Sequence, residues 1–133
     1  MPIKRASCQR SKSLEGFYED VAASTDSVCS SIGRQMLELL PMLAEVCEPF
    51  AVWGLTSHYH LWLLAVDEPS TSWLVSISAF PGLGYRIQYR MAVSDAPWPE
   101  ALVEGMAADE ADACRLVLIA MKRSGGWQRG SLS

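Results

Sequence analysis

His58 and His60 are the chain's two histidines, and two residues apart on an extended segment they would share one face, as ligands of a single metal ion do. A third ligand would have to come from Cys47, Glu48, Asp67 or Glu68, and none of these spacings is a metal signature. The plainer reading is a hairpin turn at Ser57-His58-Tyr59 with polar tips. A small ligand- or metal-binding enzyme using His58 and His60 is therefore the alternative function, and no metal or cofactor is assigned.

Nucleophilic chemistry finds no frame in the sequence. There is no G-x-S-x-G elbow and no G-x-x-x-x-G-K phosphate loop, and Pro81-Gly82-Leu83-Gly84 joins two strands without opening a helix. The cysteines, Cys8, Cys29, Cys47 and Cys114, match no zinc or redox spacing. Cys114 opens a helix but falls on its apolar stripe, which favours a core thiol over a reactive one. Paired acids such as Glu19-Asp20 lack a reason to be desolvated. Arg86, Gln88 and Arg90 alternate on one strand and could grip a phosphate or carboxylate, although a solvated outer face explains them as well. Trp98, between Pro97 and Pro99, is either a rigid binding anchor or a plug over the end of the sheet.

The charge is unevenly placed. Lys4, Arg5, Arg10 and Lys12 make the first twelve residues basic, and Lys122, Arg123 and Arg129 do the same for the last twelve. Between them, fifteen acids stand against four arginines, which leaves the body at −11 within a chain of −4. Such a field repels nucleic acid and attracts cationic surfaces. The longest apolar runs, Leu61 to Val66 and Leu116 to Met121, fall far short of the ~20 residues of a membrane span. No apolar segment backs the basic N-terminus as in a secretory signal. A cytoplasmic location, with neither membrane nor nucleic acid as partner, is expected.

Positioning these residues falls to a helix–helix–strands–helix order. Ser13 caps a first helix and Asp26 or Thr25 a second, whose stripe is Val28, Ile32, Met36, Leu39, Leu43 and Val46, with Pro41 kinking or restarting it. From Phe50 the period changes to two. Phe50–Leu55, His60–Val66, Trp73–Phe80 and Tyr85–Met91 read as strands in a meander, with Val75 and Ile77 inward and Ser76 and Ser78 outward. Ala101–Ala107 is a fifth, edge strand. Asp109 caps the last helix, Gly125 or Gly126 ends it, and Trp127 folds back onto the core. The expected fold is α+β: an antiparallel four- to five-stranded sheet with N-terminal helices and a C-terminal helix packed on it. Residues 1–12 are expected to be a flexible basic tail, 13–127 a single domain and 128–133 a second flexible tail.

The segment Val103-Glu104-Gly105-Met106-Ala107, Asp109-Glu110-Ala111, the apolar helix through Met121 and Ser124-Gly125-Gly126-Trp127 resembles the closing strand and helix of small bacterial immunity proteins. That resemblance covers Val103 to Trp127 and implies a non-enzymatic inhibitor that binds a cognate toxin through an acidic surface. The acidic body fits a basic nuclease toxin as the partner. The expected contact residues are Asp67, Glu68, Asp95, Glu100 and Glu104, with Trp98 as apolar anchor. A homo-oligomer formed through an apolar sheet face is a third possibility.

Overall fold

The computed structural model describes residues 3–9, 11–68 and 73–127. Its elements are β1 (Ile3–Arg5), a 3-10 turn (Ser7–Gln9), α1 (Leu14–Ala22), α2 (Ser27–Cys47), β2 (Val52–Ser57), β3 (His60–Leu64), β4 (Val75–Phe80), β5 (Gly84–Arg90), β6 (Leu102–Ala107) and α3 (Glu110–Arg123). The α+β class is as expected, but the sheet is larger and mixed: six strands in sequence order, with β2 to β6 an antiparallel meander and β1 added parallel to β2.

Within the stretch expected to be a basic tail, Ile3–Gln9 is instead built into the fold. Ile3 is 2% exposed in the core, paired with Val52, and Ala6 donates to the Gly54 carbonyl at 2.9 Å. Gln9 then acts as a surrogate backbone. Its amide donates to Thr56 O (2.9 Å) and its carbonyl accepts from Thr56 N–H (2.8 Å), so the edge of β2 remains satisfied beyond the end of β1. The parallel partner lies some fifty residues away, which local composition cannot reveal. Residues 128–133, expected to be the second tail, lie outside the described residues.

Local chemistry sets the helices as read. Ser13 Oγ accepts from Gly16 N–H, Asp26 from Val28 and Cys29 N–H, and Asp109 from Asp112 N–H. Those backbone donors hold the Asp26 carboxyl below its ordinary value. α2 runs unbroken through Pro41, which stands on its exposed side. Gly33 has a role beyond helix propensity: a Cβ there would lie 2.3 Å from Ala22 N and 2.8 Å from Tyr18 O, so its absence lets α1 and α2 touch backbone to backbone.

All three helices cover one face of the sheet. Met36, Leu39 and Leu43 of α2 and Val117 and Met121 of α3 meet Leu61, Leu63, Val75, Ile77 and Ile87, all nearly or wholly inaccessible. Tyr85 crosses this layer, donating to Gln35 O and facing Glu110 Oε2 at 3.0 Å. Trp127 does fold back, donating from Nε1 to Ala51 O at 2.8 Å. No helix among the described residues is long and apolar enough to cross a membrane.

Candidate binding face

With every helix on one side, the strand residues of opposite parity line a face that no helix covers. Pairing places Trp53 beside Leu64, Leu55 beside Trp62, Trp62 beside Ser76, Ser76 beside Gln88 and Gln88 beside Glu104. A neighbouring row runs from Ser57 and His60 to Ser78, Arg86 and Met106; there His60 Nδ1 lies 2.6 Å from Ser78 Oγ. The face is therefore aromatic and cationic, and its centre is floored by two small hydroxyls.

Those serines carry a correction. Ser76 and Ser78 do point away from the helices, yet they are 3% and 2% exposed. The large side chains around them, Trp62, His60 and Arg86, stand taller than a serine and close over it. The β3–β4 connection adds to this cover. Its Trp73 stacks on Trp62 with centroids 5.8 Å apart, and Leu64, also on this face, is 1% exposed.

Cations cap the aromatic rings. The Arg90 guanidinium lies 4.5 Å above Trp73, Arg86 5.1 Å from Phe80 and Lys4 5.4 Å from Trp53. Arg90 is satisfied in three ways: it also donates from Nε to Trp73 O at 2.7 Å and pairs with Glu100 at 3.4 Å. Arg86 is not, for its Nε is buried without an acceptor among the described residues.

At the hairpin end of the sheet, this face meets a cleft of about 300 Å3 lined by Val28, Ile32, His58, Tyr59, His60, Ala79, Phe80 and Pro81. The turn forming its wall is held by Tyr18 of α1, whose hydroxyl donates to Tyr59 O at 3.0 Å. His58 sits in that turn at φ +55, in the left-handed region that few side chains occupy. Val28, expected on the buried stripe of α2, is 58% exposed beside this cleft. Burial lowers the His60 pKa, and the positive charges of Arg86 and His58 lower it further.

The histidines thus part company. His58 is an exposed turn residue, while His60 is half-buried against Ser78. Among the described residues, no three His, Cys, Asp or Glu side chains come together as a metal site would require. Cys47 lies in the core with Sγ 3.9 Å from Met121 Sδ, and burial pushes its thiol up to about 12. Cys114 is likewise buried and its pKa raised.

The acids selected from sequence are spread over both edges of the sheet. Asp67 accepts from Ser7 N–H at 2.9 Å and from the Ser7 hydroxyl, beside β1. Glu68 follows it, exposed. Glu104 stands on β6 at the opposite edge and accepts from Gln88 at 2.9 Å. Glu100, at φ +61, pairs with Arg90. Asp95 lines, with Lys122 and Arg123, a recess of about 570 Å3. Trp98 is 66% exposed, and with Met91, Val93 and Pro97 it lines a separate shallow recess. What sequence reasoning missed is the aromatic half of the sheet face, Trp53, Trp62, Trp73 and Phe80. For Trp53, Trp62 and Phe80 the available signal was strand parity with Leu55, His60 and Ser78, whereas Trp73 lies in the connection before β4 and carries none.

No known protein family, curated protein or solved structure matches the chain.

Proposed function

We propose that this chain is a non-enzymatic protein-binding module that engages its partner through the helix-free face of its sheet. One observation carries this reading: a six-stranded sheet covered by helices on one side presents on the other a continuous array of half-buried aromatic and guanidinium groups. Aromatic side chains and arginines are the residues that dominate the energetics of protein interfaces. Enzymatic chemistry has less support. Burial raises the pKa of the core thiols, and the imidazole in the cleft is paired with a serine, with no carboxylate against it among the described residues.

A second reading keeps the immunity-type inhibitor and its basic toxin, and it rests on the opposite layer. Glu15, Glu19 and Asp20 of α1 and Glu38 and Glu45 of α2 are exposed on the helical side, a surface that would attract a cationic partner.

Photo-cross-linking separates the two. A benzophenone side chain placed at Met106 or Leu55 on the sheet face is expected to form an adduct with one partner protein in cells expressing the chain, and one placed at Glu38 to form none. Adducts from Glu38 alone would transfer the function to the acidic layer. Adducts with the mass of two copies of this chain would replace both readings with self-association.

A further inference from the structure

The binding face proposed above contains one group whose chemistry names its complement. Arg86 lies in the middle of β5, its Nε buried with no acceptor, and it belongs to none of the ion pairs among the described residues. Phe80 covers one face of the guanidinium, and the cross-strand partners of Arg86 are Ser78 and Met106, neither of which supplies a negative charge. The groups whose charge bears on neighbouring His60 are Arg86 and His58, and neither is an acid. A buried Nε–H without an acceptor among the described residues is costly, and a ligand that supplies the acceptor would remove that cost. The apolar cleft of about 300 Å3 adjoins this row and shares His60 with it, and Phe80, the ring against Arg86, lines it too.

The geometry points to a carboxylate-recognition site: an acidic side chain of a partner protein seats against Arg86, and an apolar neighbour of that side chain enters the cleft between Val28, Ile32, Tyr59 and Phe80. This rests on the reading of the sheet face as the binding surface and specifies what that surface takes. A planar guanidinium matches the two oxygens of a carboxylate, and because Nε is shut off from solvent the incoming carboxylate must displace part of the cover over Arg86 to reach it. Single-stranded nucleic acid, which aromatic sheets also bind, fits less well. Base stacking needs free ring faces, whereas Trp62 and Trp73 stack on each other and Arg90 and Lys4 cap Trp73 and Trp53. A phosphate backbone needs a run of cations, and Arg90 is already paired with Glu100.

The test uses the full chain, labelled with 15N, and follows the arginine Nε–Hε and His60 ring signals by NMR. The Arg86 signal is assigned through Arg86→Lys, which lacks Nε–H in that position but keeps the charge. The probes are a capped peptide, acetyl-Ala-Leu-Glu-Leu-Ala-amide, its Gln counterpart, inorganic phosphate and an oligothymidylate. The Glu peptide is expected to shift Arg86 Nε–Hε and His60. The Gln peptide, and Arg86→Gln with the Glu peptide, are expected to bind roughly ten- to a hundredfold more weakly, the range of a hydrogen bond to a charged group. Equal response to the Glu and Gln peptides, no movement at Arg86, or tighter binding of oligothymidylate or phosphate would each overturn the site. Thermal melts confirm that both variants fold. If the Glu peptide fails while the Met106 cross-link still captures a partner, the carboxylate site falls and the binding face stands; if both fail, both fall.

Discussion

Replacing Gly33 with alanine sets two physical effects of opposite sign against each other. Within a helix, Gly→Ala stabilises by about 1 kcal/mol through backbone entropy. Here the added methyl would sit 2.3 Å from Ala22 N, 2.7 Å from Ala22 Cα and 2.8 Å from Tyr18 O. These are backbone atoms of α1 and its C-terminal turn, so no side chain can rotate aside and the two helices must separate. Overpacking typically costs ~1–3 kcal/mol, and rigid contacts put this site at or above the upper end. The net expectation is a loss of about 2 kcal/mol, which lowers Tm by roughly 6–8 °C in a domain of this size. The helix separation also draws Tyr18 away from Tyr59 O and loosens the turn that walls the cleft. Urea titration checks it: the midpoint should fall with an unchanged slope. Gly105→Ala is the control, since its Cβ would meet only Leu116 Cδ1 at 3.5 Å, an ordinary contact. A Gly33→Ala variant that melts higher than the parent, as propensity alone requires, would refute the close approach of α1 and α2.

Other outcomes follow from single contacts. Gln9→Ala removes both partners of the Thr56 backbone and should cost ~1–3 kcal/mol in urea unfolding, whereas a tail residue would cost nothing. His60 has a depressed folded pKa, so the unfolded chain takes up its proton first as the pH falls. Stability should therefore be intact above the ordinary imidazole value of 6.5 and decline as the pH drops from there through the folded pKa; His60→Gln should remove that part of the slope in melts between pH 7 and 5. Met106→Glu sets a carboxylate directly across from Arg86; cross-strand pairing should hold or raise stability by up to ~1 kcal/mol and abolish the Arg86 response to the Glu peptide.

The helices and the strand periods were legible because their determinants are local. Ser13, Asp26 and Asp109 announce themselves as caps, and each accepts the bonds that a cap should. The alternation Tyr85, Ile87, Tyr89 against Arg86, Gln88, Arg90 fixes which side of β5 meets the helices. What escaped depended on contacts distant in sequence. Ile3 is one apolar residue among basic and polar neighbours, and only the vacant edge of β2 makes it a strand residue. Gly33 reads as a weak point in a helix until Ala22 is placed beside it. Ser76 and Ser78 have the polarity of solvent-facing positions, and their burial comes from the size of what surrounds them. The Trp62–Trp73 stack joins a strand to a connection, so no strand period could reveal it.

The same limit explains why net charge gives no view of the arginines on the outer face. Arg86 and Arg90 are equivalent in sequence, two arginines on one side of one strand. Their difference comes from β6: its register sets Met106 against Arg86, Glu104 against Gln88 and Leu102 against Arg90, while the turn that delivers β6 swings Glu100 back to Arg90. A register two residues longer would have paired Glu104 with Arg86 and left nothing on this face unsatisfied. Register is fixed by packing of the inward side, where Ala107 is buried opposite Tyr85, and by Gly84, where a Cβ would lie 2.0 Å from Ala107 O. The core thus dictates which cation on the outer face is paired internally and which is left without an ion pair among the described residues. A sum over charges treats the two arginines alike; the sheet does not.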